Sequence, residues 1–253
     1  MKTAVPPPPS QGVPLRITIL QRGFTLVEMA IVLFIVALLL GGMLLPLSAQ
    51  QDIRARQETD KTLSDIRDAL MGFAVANGYL PCPAPVDLST GGAEATRDGS
   101  GACSIRVGLI PWTTLGLGQH DAWNHLFRYS VTPEFSNSGT KFSLGRSGDI
   151  LIQTRDAAGA LQTLATAASV PAAIVSHGAR AAWAYTDTGA QIADSANINT
   201  DEDTNAAAAG TTFVSRMSTA QGVAAPGEFD DSVIWLSTNT LFNRMVAAGK
   251  LSE

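Results

Sequence analysis

Between Phe24 and Leu47 the chain holds one long, uninterrupted apolar run, and within it Glu28 carries the only charge. About twenty such residues are enough to cross a bilayer as a helix. The basic residues around this run, Lys2, Arg16 and Arg22, all precede it, and no acid accompanies them. That asymmetry predicts a helix whose N-terminal side faces the cytoplasm, with the bulk of the chain on the other side. A carboxylate inside a membrane-length run costs a few kcal/mol unless it finds a partner, so Glu28 needs one. Nothing basic follows it within the run.

The stretch before the run reads as a leader, residues 1–23. Its Pro6-Pro7-Pro8-Pro9 segment, followed by Ser10-Gln11-Gly12, is expected to be extended. Removing it leaves 14 basic residues against 22 acidic ones. That balance offers no electrostatic footprint for nucleic acid, and none is expected as a partner. The apolar helix, residues 24–48, continues as an amphipathic one over 49–78. Leu63, Ile66, Leu70 and Phe73 recur at three- and four-residue spacing, with Arg56, Glu58, Asp60, Lys61, Asp65 and Arg67 on other faces. Gly41-Gly42 and Pro46 mark a weak point, predicted to lose helical hydrogen bonds in a packed assembly. Asn77-Gly78, before prolines at 81, 83 and 85, ends the helix.

Residues 79–253 read as a sheet-and-loop domain, with 45% hydrophobic residues in the chain arguing against disorder. Strands are expected at Phe127–Val131, Lys141–Leu144, Asp149–Thr154, Ala172–Ser176, Ala182–Tyr185, Thr211–Arg216 and Ser232–Leu236. Gly145–Gly148 is expected to turn the second into the third as a hairpin. Leu88–Ser104 and Asp187–Gly210 read as polar linkers. Thr238 or Asn239 is expected to cap a last helix that ends at Gly249. The fold class is α+β, a long N-terminal helix packed on an antiparallel sheet. Cys82 and Cys103, an even pair in an exported domain, predict one disulfide, the alternative being two unrelated buried thiols.

The residues Arg22-Gly23-Phe24-Thr25-Leu26-Val27-Glu28 resemble the processing site of type IV prepilins and type II secretion pseudopilins. The resemblance implies cleavage after Gly23 by a prepilin peptidase and methylation of Phe24. It also implies an assembly role for Glu28, neutralised by the new amine of a neighbouring subunit. Asp121-Ala122-Trp123-Asn124, followed by Phe127-Arg128-Tyr129, is similar to the Asp-Pro-Trp-Gly…Tyr segment of pseudopilin domains. Here alanine replaces the proline and asparagine the glycine. The implied partners are other pilin or pseudopilin subunits, the peptidase and an inner-membrane assembly platform. The implied place is the inner membrane with a periplasmic domain, then a filament. Two other readings of the run are a signal peptide cut after Leu47-Ser48-Ala49 and the anchor of a membrane-bound binding protein that never polymerises.

No enzyme is expected. His120, His125 and His177 fall into no metal-binding or nucleophile motif. No cofactor is required, with calcium as the one candidate. Asp201, Asp203, Asp230 and Asp231 are its proposed ligands, with Glu202 and Asn205 close by, since calcium favours clustered hard oxygens. Major pseudopilins carry a calcium site in their C-terminal loops, which the resemblance extends to these residues.

Overall fold

Residues 26–77 hold ten Leu and seven Ala, strong helix formers, and they build one 52-residue helix, α1 (Leu26–Asn77). It ends where Gly78 takes a left-handed φ of 84° and its amide reaches back to the Ala74 carbonyl at 2.7 Å. The structure, a computed structural model, describes residues 23–194, 199–220 and 227–251, except for the side chains of 41–49. The leader therefore lies outside the described residues, apart from Gly23. Across 41–46 the backbone is helical in the single chain.

The chain divides into two compact units, Met1–Gln50 and Gln51–Glu253. In the first, every large apolar side chain from Leu26 to Leu40 is at least 42% exposed, all round the helix. Among the described residues, no helix is long and apolar enough to cross a membrane. The side chains of 41–49, which include the second part of the apolar run, lie outside those described.

In the second unit the remaining elements follow in order. They are β1 (Val107–Leu109), α2 (Trp112–Leu115), β2 (Arg128–Val131), α3 (Pro133–Ser136), β3 (Leu151–Arg155) and β4 (Leu161–Ala165). After these come β5 (Ala172–Ser176), α4 (Thr200–Ala206), β6 (Thr212–Val214), β7 (Ser232–Leu236) and α5 (Thr238–Ala247). Four strands pair antiparallel in the order β1-β2-β5-β7, with Tyr129 opposite Ile174 and Ile174 opposite Ile234. Side chains alternate across a strand, and here both faces are covered. Tyr129, Val131, Ala172 and Ile174 share a core with Leu63, Ile66 and Leu70 of α1. Ala173 and Val175 point the other way, against Ile150, Ile152 and Phe213 of a second sheet, ordered β4-β3-β6.

Several expectations need correction. The second sheet is mixed, because β3 and β6 run parallel. Residues 141–144 form no strand; Lys141 has φ 52°, a turn conformation. The hairpin is instead β3–β4, whose turn Asp156 organises by accepting the amides of Ala158 and Ala160, both at 2.9 Å. Residues 182–185 make only isolated bridges through Tyr185, since Ala181 and Trp183 have φ of 61° and 64°, outside the strand region. The stretch 187–210 contains α4, and four of its residues, 195–198, lie outside the described ones. Ser237 stands at the N-cap of α5, one residue before the positions expected.

Candidate functional site

Gly23, Phe24 and Thr25 lie outside the helix and are exposed. Thr25 fixes where α1 begins. Its amide and its hydroxyl both donate to Glu28 Oε2, at 2.9 and 3.0 Å, and the Glu28 amide donates back to Thr25 Oγ1 at 3.2 Å. This is a reciprocal capping box, which satisfies amides that a helix start leaves without partners. Within the single chain Glu28 thus has partners, the amide and hydroxyl of Thr25 rather than a cation. The Thr-x-x-Glu spacing signals this capping box in the sequence.

The loop around Asp121 is held from several sides. Asp121 Oδ1 accepts the amides of Trp123 and His125, both at 2.9 Å, and Oδ2 accepts the buried hydroxyl of Ser176 at 2.6 Å. Asn124 has φ 67°, a left-handed position that asparagine tolerates better than most residues, so it serves where the resembled segment has glycine. Ala122, in place of proline, keeps an amide that donates to Thr59 Oγ1 of α1 at 3.2 Å. Cys82 and Cys103 are joined in a disulfide with Cα atoms 5.5 Å apart. Inside the loop it closes, Glu94 accepts from the Cys82 amide and from Arg97, at 2.9 and 2.8 Å, and Arg97 lies over the Tyr79 ring.

Of the four proposed calcium ligands, Asp230 and Asp231 come together, whereas Asp201 and Asp203 go elsewhere. Successive residues of a helix face different ways, and α4 sends Asp201 and Glu202 to different partners. Asp201 is gripped by Arg155 Nη2 at 2.7 Å and Arg216 Nε at 2.6 Å. Asp203 accepts the indole N–H of Trp183 at 2.9 Å. Glu202, by contrast, meets Asp230 and Asp231 in a buried cluster with carboxylate oxygens within 4.8 Å of one another. Burial raises the pKa of all three above the usual carboxylate range. Their oxygens are largely committed. Glu202 accepts from Asn199, from the Asp230 amide and from Arg180; Asp230 accepts from the Arg180 amide; Asp231 accepts from Asn205 and meets His177 Nδ1 at 3.2 Å. Asp230 Oδ1 alone accepts no hydrogen bond, and the Arg180 guanidinium stands 3.6 Å from it. Arg180 supplies a positive charge to this cluster, 3.2 Å from Glu202 and 3.6 Å from Asp230. Arg180 and His177 carry no sequence signal for this role, because their partners lie 22 to 54 residues away.

Residues 20–44 match the family model described as the prokaryotic N-terminal methylation motif. That motif is characteristic of type IV pilins and pseudopilins, and this chain carries it. No curated protein and no solved structure matches the chain.

Proposed function

We propose that the chain is a structural subunit of a type IV pilus or a type II secretion pseudopilus. In this reading it is cut after Gly23, methylated at Phe24, anchored in the inner membrane by its N-terminal helix, and extruded helix-first into a fibre. Its part is mechanical, and no cofactor is required. One observation carries the reading: the Gly23–Phe24 junction lies outside the helix, shortly before a capped helix start whose apolar side chains from Leu26 to Leu40 are exposed on every side. Such a surface stays in lipid or is covered by like helices. Packing would let the new amine of a neighbour replace Thr25 as the partner of Glu28. The large domain after the helix favours a minor or tip-proximal place.

Intact mass of protein from native membranes should show loss of residues 1–23 and one added methyl group. An N-terminus at Gln50 would overturn the reading. Glu28→Gln keeps a capping side chain and removes the charge. It should leave the protein in the membrane and abolish its incorporation into filaments; normal incorporation would reduce Glu28 to a helix cap, whereas absence of the unmutated chain from filaments would favour an anchored protein that does not polymerise.

A further inference from the structure

Arg128 sits on the face of β2 opposite Tyr129 and Val131, away from the core shared with α1. It is 4% exposed. Arg97, Arg106, Arg155, Arg180 and Arg216 each have a carboxylate within 4 Å. Arg128 has none among the described residues. Its Nη2 donates to the Ala207 carbonyl at 2.8 Å, and its buried Nε donates to nothing. Burial lowers its hold on the proton, opposed by Tyr185, whose hydroxyl is hydrogen-bonded to the guanidinium, and by Asp231 at a distance. A buried charge without a counter-charge is costly unless something completes it.

Beside it opens a cavity of about 310 Å³, lined by Arg128, Trp183, Tyr185, Val86, Val107 and Gln191. The hydrogen bond to Asp203 pins the Trp183 indole. The segment that presents Trp183 is held with two non-glycine residues at left-handed φ, a conformation that persists only when the surroundings enforce it.

We propose that this cavity binds a small organic monocarboxylate with a flat apolar body, its carboxylate paired to Arg128. The planar guanidinium matches a carboxylate with two parallel hydrogen bonds. Trp183 and Tyr185 offer aromatic surfaces, and Val86 and Val107 aliphatic ones. Ligand cavities run from roughly 300 to 1,000 Å³, so this one suits a single ring rather than a polymer. One guanidinium balances one carboxylate, whereas a phosphate dianion would leave a buried charge unmatched. The site stands apart from filament assembly, and its test is independent of it.

The probe is 4-fluorobenzoate, followed by fluorine NMR with the full chain in a neutral detergent, and 4-fluorobenzamide serves as the uncharged control. The acid should broaden saturably and the amide should not. Arg128→Gln should weaken binding by roughly tenfold or more, the scale of a charge-assisted hydrogen bond. Because that variant also alters the contact with Ala207, Val86→Asp provides a second arm. It leaves Arg128 in place, sets a negative charge at the half-open wall, and should weaken the acid similarly. Absence of saturable broadening, equal binding of acid and amide, or wild-type affinity in Val86→Asp would overturn the proposal.

Discussion

Removing the Asp201 carboxylate should be among the most damaging single changes in the second unit. Asp201 is 1% exposed and neutralises two arginines, one from β3 and one just past β6. The Arg216 side chain is 8% exposed and lies over the Phe229 ring, so it cannot swing into water; Arg155, at 19%, has a little more freedom. Breaking a buried ion pair by deleting one partner costs about 3–5 kcal/mol, because the charge left behind is uncompensated. For a unit of this size each kcal/mol lowers Tm by about 2–4 °C, so Asp201→Ala should lose roughly 6–20 °C. Thermal unfolding of the full chain in neutral detergent, followed by near-UV circular dichroism, measures this. The melt is run with added calcium and again with a chelator. Both should give the same wild-type Tm, since arginines rather than a metal hold Asp201. A loss below about 2 °C in the mutant would refute the argument, and so would a wild-type Tm that the chelator drives down to the mutant's value.

Other outcomes follow from the same network and from the loops. Replacing Cys82 and Cys103 by serine should lower stability by about 3 kcal/mol in urea unfolding, the chain-entropy value for a loop of this length; a change under about 1 kcal/mol would refute it. Burial raises the pKa of Glu202, Asp230 and Asp231, so the folded state holds more protons than the unfolded one between about pH 4 and the raised values. Stability should therefore rise as pH falls through that window. It should fall at lower pH, where Asp149 is protonated: there burial is outweighed by hydrogen bonds from Arg106 and Thr132 that hold its pKa low. A Tm that declines steadily from neutral pH would contradict this. At the left-handed Asn124, glycine should be tolerated and valine should cost about 1–2 kcal/mol in the same urea assay.

The sequence alone determined the long helix, its end at Asn77-Gly78, and the strands β2, β5 and β7, because each follows from patterns read within a few residues. Hydropathy at a three-to-four or two-residue period, a glycine stop and a processing motif are all local. The same holds for the capping box at Thr25 and Glu28, which is legible in the Thr-x-x-Glu spacing. Where local pattern was weak, the reading failed. The three residues of β1 carry too little pattern, the exposed β4 lacks alternation, and parallel pairing of β3 with β6 depends on a partner about 60 residues away. The acidic stretch was visible as composition, yet composition does not say which carboxylate meets which cation. Only the tertiary structure gave Asp201 to Arg155 and Arg216, set Arg180 among Glu202 and Asp230, and left Arg128 buried with no carboxylate beside it among the described residues. Charges in a folded interior are assigned by which side chains the packing brings within about 4 Å, a distance that residues far apart in the chain share only after the sheets have formed.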